Sequence, residues 1–297
     1  MAERTTTALR NLIAAPGVVV APGAADALVA RLILAEGFKA IYMTGGGTSS
    51  TRLGAPDVGL LTMPEMVDNA GRIVDATGLP VIADADTGYG NVLNVRRTVR
   101  AYERAGVAAI HIEDQELPKR CGHLAGKTLV STDEMVNKIK AACDIRLDPD
   151  FMIIARTDAL SVEGVEAALE RGRAYEAAGA DMIFVESPLT MEHLRAIPKA
   201  YRVPTLFNMA SSGKTPFLHT DELTELGFKL AIYPNFAILT AIRAVRSYLR
   251  DLREKGTVGH LVKDLASFTE WFDVVGMPEV KAIEEKFGLP EEKRAGY

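Results

Sequence analysis

Five short apolar runs each follow a helix-like stretch that closes on glycine. Glu36-Gly37 leads into 38–43, Thr77-Gly78 into 79–84, Ala105-Gly106 into 107–113, Ala178-Gly179 into 180–186 and Leu226-Gly227 into 228–233. Glycine at these points fits a left-handed helix C-cap. Near-continuous apolar runs are the pattern of parallel strands buried on both faces. Three further runs, Val18 to Ala21, Phe151 to Ala155 and Val203 to Asn208, bring the count to eight. Helical patterns separate them at roughly 24–35, 64–76, 92–105, 132–143, 162–178, 191–200, 220–226 and 236–253. Ser131-Thr132-Asp133-Glu134 and Thr220-Asp221-Glu222 read as helix starts. Eight alternating strand–helix units predict an α/β fold, a (β/α)8 TIM barrel, over an open doubly wound sheet.

No internal linker is visible. The charged, Gly-containing Arg253 to Gly259 stretch is the best break, which places the barrel at 1–256 and a C-terminal helical extension of the same domain at 257–297. The apolar residues of 260–287, Trp271 and Phe272 among them, pack either on their own barrel or on a neighbouring subunit. With 297 residues, 48% of them hydrophobic, the chain has ample material for a core. A formal net charge of −5 argues against a nucleic-acid binder. No run approaches the ~18 apolar residues of a membrane span. The only cysteines, Cys121 and Cys143, do not make a disulfide framework, and the polar N-terminus lacks the apolar segment of a signal peptide. These features predict a cytoplasmic protein.

Polar groups concentrate where the strands end. Strand two runs into Thr44-Gly45-Gly46-Gly47, strand three into Asp84-Ala85-Asp86, strand four into Glu113-Asp114-Gln115 and strand five into Arg156-Thr157-Asp158. Strands six, seven and eight run into Glu186, Asn208 and Tyr233-Pro234-Asn235. Active sites of (β/α)8 enzymes lie at these ends, so the clustering predicts an enzyme. Asp84 and Asp86 are two apart, which points both to one side of an extended segment. Two carboxylates held close repel unless a cation or proton lies between them. Glu113 and Asp57 can join them from neighbouring strand ends or loops. An all-oxygen, acid-rich site selects a hard cation such as Mg2+. Zinc is disfavoured, because the five histidines lack paired ligand spacing.

The loop after strand four reads Leu117-Pro118-Lys119-Arg120-Cys121-Gly122-His123-Leu124-Ala125-Gly126-Lys127. Cationic neighbours favour a thiolate, so Lys119, Arg120 and His123 predict a lowered pKa for Cys121 and a thiol able to exchange protons. The competing reading is a surface loop with a chance cysteine, as expected of Cys143 in its Ala-rich helix. Glycines on both sides of His123 allow the loop to close over a substrate. Arg156 either grips a substrate carboxylate bidentately or forms a salt bridge to Glu186 or Asp158, and both can hold. Thr44-Gly45-Gly46 reads as a Gly-rich turn able to aim backbone N–H groups at an oxyanion.

Taken together, these residues resemble the isocitrate lyase/phosphoenolpyruvate mutase superfamily, and most of all its short bacterial lyases and phosphonomutases. The resemblance runs from Pro22 to about Thr257. Lys119-Arg120-Cys121-Gly122-His123 is its most specific segment. Leu53-Gly54-Ala55-Pro56-Asp57, 84–90, 112–115, 155–159 and Gly213-Lys214-Thr215-Pro216 support it. It implies a site for Mg2+ (or Mn2+) at Asp57, Asp84, Asp86 and Glu113, with Asp86 the direct ligand. It implies that Tyr42, Thr44, Gly45 and Gly46 cradle the pyruvate-like end of the substrate and that Arg156 binds its carboxylate. Cys121 matches the general acid/base on a gating loop. Lys119, Gly122, His123, Glu186 and Asn208 match pocket positions, His123 also among the catalytic groups, and Tyr42 is placed to help remove a hydroxyl proton. The implied assembly is a homotetramer with exchanged C-terminal helices.

The implied activity is Mg2+-dependent cleavage of a 2-hydroxy di- or tricarboxylate, of the 2-methylisocitrate or 2,3-dimethylmalate type, to a 2-oxo acid such as pyruvate plus a carboxylate. Two departures bear on the substrate. The loop Asn208-Met209-Ala210-Ser211-Ser212-Gly213 holds no acid, and Leu124 stands where some members carry Arg. The missing Arg favours a dicarboxylate. Phosphonomutase chemistry, oxaloacetate hydrolysis or decarboxylation, and a catalytically inactive barrel are the alternatives.

Overall fold

The structure is a computed structural model that describes residues 3–212 and 214–296. Gly213, quoted above, lies outside the described residues. Eight strands, β1 (Val19–Ala24), β2 (Ile41–Met43), β3 (Val81–Asp84), β4 (Ala109–Glu113), β5 (Met152–Thr157), β6 (Met182–Val185), β7 (Thr205–Asn208) and β8 (Leu230–Tyr233), close in sequence order into a barrel. Every neighbouring pair is parallel, β8 against β1 included. The helices are α1 (Thr5–Ala14), α2 (Ala27–Ala35), α3 (Gly45–Leu53), α4 (Met63–Thr77), α5 (Val92–Arg104), α6 (Thr132–Ile145), α7 (Val165–Ala177), α8 (Met191–Ala196), α9 (Thr220–Leu226), α10 (Phe236–Lys255), α11 (Phe268–Val274) and α12 (Met277–Lys286). Among the described residues no helix is long and apolar enough to cross a membrane.

The expected (β/α)8 barrel is therefore present, with each strand on its apolar run. Gly37, Gly78, Gly106, Gly179 and Gly227 all have positive φ, the conformation of the expected C-caps.

Two helices escaped the sequence pattern. α1 buries Leu9 and Ile13, four residues apart on one face, together with Thr6, and the two apolar residues join the inner core with Ile82, Ile154 and Leu230. Its Arg10 ties it to the Asp150 carbonyl (3.0 Å) and to Asp181 (2.9 Å), beside the starts of β5 and β6. α3 begins in the glycines that read as a turn. Thr44 caps it, its Oγ accepting from Gly47 N at 3.2 Å. A Cβ on Gly45 would collide with the Asp84 carboxylate, and one on Gly47 with the Thr44 methyl. Glycine is present for space, at some cost in helix propensity.

Strand periodicity sets the site. Side chains at alternate positions enter the barrel, and several inward rows start apolar and finish polar at the carboxyl end. Ile82 is followed by Asp84, Ala109 by His111 and Glu113, Ile154 by Arg156, Phe184 by Glu186, and Leu206 by Asn208. The lower layers are a dry plug, and the top layer is a buried polar ring.

The chain divides into two compact units, Met1–Ala237 and Ile238–Tyr297. The division falls inside α10, earlier than the break at 256 expected from composition. The second unit holds most of α10 with α11 and α12. α10 buries no side chain, and Leu239, Ile242, Val245, Leu249 and Leu252 are exposed along it. Trp271 and Phe272 pack with Phe268 in one aromatic cluster of edge-on and tilted rings.

Candidate active site

The polar ring is roofed by the 116–128 loop, which acts as a lid with a paired base. Gln115 bridges Leu129, Glu116 N donates to Thr128 O (2.9 Å), and Val130 N to Asp114 O (2.9 Å). Gln115 also holds Arg120 from both sides, donating to its carbonyl (2.8 Å) and accepting from its N–H (2.9 Å). Beneath the lid is a cavity of about 50 Å³ lined by Tyr42, Thr44, Gly46, Asp57, Asp84, Lys119, Cys121, Gly122, His123, Arg156, Glu186 and Asn208, with Ala210, Pro234 and Asn235. Most of the expected site residues thus share one pocket. Gly45 and Asp86 line a smaller recess beside it together with Asp57. Glu113 joins through Arg156, whose Nε is 3.4 Å away. The lid packs closely: a Cβ on Gly122 would run into the Arg156 guanidinium and the Glu186 side chain.

The acids do not form a closed cage. Asp84 Oδ1 accepts the Asp86 N–H at 2.9 Å, and Asp84 lines the main cavity while Asp86 lines the recess beside it. Asp86 itself has φ +46, strained for a non-glycine residue. The Lys119 ammonium stands 2.5 Å from Asp57 and 2.7 Å from Asp86. Among the described residues, no three His, Cys, Asp or Glu side chains converge as a ligand set. The donor chemistry nonetheless suits a hard cation. Glu113 Oε1 is buried without a hydrogen-bond partner, and Asp86 Oδ1 has the Lys119 ammonium alone, at 2.7 Å. Burial, together with repulsion from Asp84 and Asp57, pushes Asp86 up to about 6 despite Lys119. Burial also raises Glu113 well above the carboxylate range, against Arg156 and Lys119. A divalent ion held by these oxygens would relieve that excess of buried negative charge.

Arg156 makes the expected ion pairs, to Asp158 and Glu186. The side chain lines the pocket, and its Nε and Nη2 meet the Asp158 carboxylate at 2.9 and 3.2 Å, a bidentate pair. Glu186 Oε2 lies 3.6 Å from Nη2, and the Phe184 ring lies beneath the guanidinium at 5.1 Å. Glu186 is buried, but Arg156 and His123 outweigh that burial and hold it below the usual carboxylate range. Asn208 Nδ2 donates to both its oxygens (3.2 and 3.1 Å), and His123 Nε2 is 3.0 Å from Oε1. His123 Nδ1 lies 2.9 Å from the Ser212 hydroxyl. His123 and Glu186 therefore clamp the lid to the end of β6.

Cys121 differs from its expectation. Burial raises its thiol pKa. The three cations that flank it in sequence are engaged elsewhere: Lys119 with Asp57 and Asp86, His123 with Glu186, and exposed Arg120 with the Ala125 carbonyl. The predicted thiolate is corrected to a protonated thiol, the state a proton donor needs. Thr44 and Gly46 present the N-terminus of α3 to the same pocket, where unpaired N–H groups and the helix dipole favour a developing anion. Tyr42 is buried, and burial with Asp84 keeps its phenol protonated well above its ordinary range.

Two residues of the site, His111 and Lys127, were not singled out from the sequence, whereas Asp158 and Asn235 were named at their strand ends. His111 shares the inward face of β4 with Glu113, and its Nε2 lies 2.8 Å from the Tyr42 hydroxyl. Burial pushes His111 down to about 4, so the ring is neutral. Its parity with Glu113 was a usable signal. Asp158 and Lys127 form an ion pair at 2.9 Å beside Arg156. Asn235 accepts from the Thr44 hydroxyl at 3.2 Å.

A parallel barrel with a buried acid ring, an arginine and a thiol-bearing lid defines an enzyme scaffold, and the chain belongs to the phosphoenolpyruvate phosphomutase family, whose model matches residues 9–253. Within that family it is similar to 2,3-dimethylmalate lyase of Eubacterium barkeri, 49% identical over 95% of this chain and 98% of the relative. It is also similar to 2-methylisocitrate lyase of Aeropyrum pernix, 44% identical over 92% and 88% of the two chains. Among solved structures, a 2,3-dimethylmalate lyase in a trigonal crystal form superposes with a TM-score of 0.94 at 40% identity, covering 100% of both chains. Oxaloacetate acetylhydrolase in complex with 3,3-difluorooxalacetate gives 0.92 at 40% identity, over 97% and 98%. Phosphonopyruvate hydrolase in complex with oxalate and Mg2+ gives 0.87 at 32% identity, over 96% and 99%.

Proposed function

We propose that the protein is a Mg2+-dependent carbon–carbon lyase that splits a 2-hydroxy dicarboxylate of the 2,3-dimethylmalate type, or the related 2-methylisocitrate, into a 2-oxo acid such as pyruvate and a second carboxylate. The observation that carries this reading is the placement of the Cys121 thiol, on the lid, over a pocket that also contains Arg156 and the N-terminus of α3. The two lyase relatives support it.

Arg156 binds a substrate carboxylate, and Asp158 fixes its plane. The amides at Gly45 and Gly46 stabilise the charge that develops on the substrate hydroxyl oxygen as it loses its proton, before that oxygen becomes the carbonyl of the 2-oxo acid. Tyr42, a phenol hydrogen-bonded to neutral His111, orients the hydroxyl end of the substrate and does not act as a phenolate base. The substrate hydroxyl passes its proton through Tyr42 to the neutral His111 ring, 2.8 Å from the phenol, the oxygen becomes the carbonyl of the 2-oxo acid, and the electron pair of the broken carbon–carbon bond stays on the carbon next to the departing carboxylate. Cys121 delivers its S–H proton to that carbon and is left as thiolate. The closed lid keeps water from donating first. Mg2+, or Mn2+, bound by Asp86 with Asp57, Asp84 and Glu113 around it, would supply Lewis-acid stabilisation of that developing oxygen charge.

One feature favours a dicarboxylate: Leu124 stands on the lid where some members carry Arg. Ala210 is the side chain that the loop after β7 gives to the pocket, and Leu124 on the lid is exposed. The similarity to oxaloacetate acetylhydrolase keeps oxaloacetate hydrolysis as the second reading. The exposed apolar stripe of α10 supports a homotetramer with exchanged C-terminal helices, each chain being one catalytic barrel with its helical extension. A coupled 2-oxo-acid assay with 2,3-dimethylmalate, 2-methylisocitrate, isocitrate and oxaloacetate, with and without EDTA, tests the proposal. Pyruvate release that EDTA abolishes is expected; turnover of oxaloacetate alone overturns it in favour of the second reading.

A further inference from the structure

Lys127 stands at the far end of the lid, two residues before the Gln115–Leu129 bridge at its base. Its ammonium is buried, its side chain only 3% exposed, and it donates to Asp158 Oδ1 at 2.9 Å and to the Gly122 carbonyl. The same Oδ1 accepts from Arg156 Nη2 at 3.2 Å, so one carboxylate oxygen serves two cations. Asp158 cannot follow a moving partner. Its N–H donates to Asp114 Oδ1 (2.9 Å), and Asp114 is itself held by Thr157 (2.7 Å) and Tyr175 (2.8 Å). Gly122, the second acceptor, is the lid residue pressed on Arg156.

Under the lid the cavity holds about 50 Å³, below the roughly 300 Å³ of ordinary small-molecule sites, and in the proposed reaction the lid lifts to admit substrate. A lifted lid would carry Lys127 away and leave the whole Asp158 charge to Arg156, which also has Glu113 at 3.4 Å and Glu186 at 3.6 Å. When it closes, Lys127 takes part of the Asp158 charge, and the guanidinium is left with positive potential for a substrate carboxylate. We infer that Lys127 is a positioning residue that couples lid closure to the grip of Arg156 on the substrate carboxylate through the shared Asp158. This rests on the proposed lyase reading, in which Arg156 holds that carboxylate. The lid signature Lys119 to His123 does not include Lys127.

The test compares wild type, Lys127→Met, which keeps length without charge, and Lys127→Arg. Oxalate binding is titrated by calorimetry in MgCl2, kcat and KM are measured for the preferred substrate, and hydrogen exchange of 116–128 is followed with and without oxalate. Loss of one charge-assisted hydrogen bond should weaken oxalate binding in Lys127→Met by about tenfold or more. KM should rise more than kcat falls, oxalate should no longer protect the lid, and Lys127→Arg should recover much of the affinity. Oxalate bound by Lys127→Met as tightly as by wild type overturns the inference, as does equal loss in the Met and Arg variants. If Lys127→Met does not fold, amine labelling of wild type decides. Oxalate should slow modification of Lys127 but not of exposed Lys140, and labelling of Lys127 unaffected by oxalate overturns the inference. Failure of the lyase reading is visible separately, as a wild type that releases no 2-oxo acid from any substrate.

Discussion

Replacing Gly122 with alanine isolates lid closure from chemistry. The added Cβ would stand 2.6 Å from Glu186 Cγ and closer still to the Arg156 guanidinium. Carbon–carbon contacts settle near 3.5–4.0 Å, so the lid must back away by about 1 Å or the buried ring must shift. The ring has little freedom, since Arg156 is fixed by Asp158, and Glu186 by Asn208 and Ser187. Overpacking of this kind costs about 1–3 kcal/mol, which lowers the closed population, and kcat/KM with it, by roughly 5- to 150-fold. The strain acts only on the closed lid, so the melting temperature should hold. Steady-state 2-oxo-acid release read beside a thermal melt measures both. A Gly122→Ala enzyme with wild-type kcat/KM and an unchanged melt would refute the closed lid as the reacting state.

His111 sets an acid limit. Its ring is kept neutral with a pKa near 4, whereas an unfolded histidine titrates near 6.5. The unfolded chain therefore binds the extra proton first, and stability present above about pH 6.5 declines as pH falls toward 4, by ~3 kcal/mol from this group. Urea unfolding across that window should show the slope, and His111→Gln should flatten it; an equal slope in both proteins would remove His111 as its source. On α10, Ile242→Asp places a charge in the exposed apolar stripe. Sedimentation should show a smaller assembly with the barrel still folded, and an unchanged mass would count against helix exchange through this face.

The barrel was legible because parallel strands buried on both faces leave unbroken apolar runs, each announced by a left-handed glycine. α1 was not, because Leu9 and Ile13 are too few to register as a period among Thr5, Thr6, Thr7, Arg10 and Asn11. α3 was hidden because Gly45 and Gly47 are selected by the Asp84 carboxylate and the Thr44 methyl, contacts invisible in one dimension. The site residues were found where they end strands or sit in the lid motif. The sign of the Cys121 shift was missed for a geometric reason. Neighbours in sequence along a folded loop point apart, so Lys119 faces the acids, Arg120 faces outward, and the thiol between them meets burial instead of charge. Lys127 carried no sequence signal beyond its charge, because its partner Asp158 lies 31 positions away.

The central claim is proton delivery from the lid thiol to carbon. Its most direct measurement is kcat beside substrate dissociation constant for Cys121→Ser, in protein whose melt matches wild type. The account expects turnover to fall by about 10²- to 10⁴-fold, the span of general acid catalysis, while substrate binding stays near its original strength. A serine enzyme that turns over at close to the wild-type rate would contradict it.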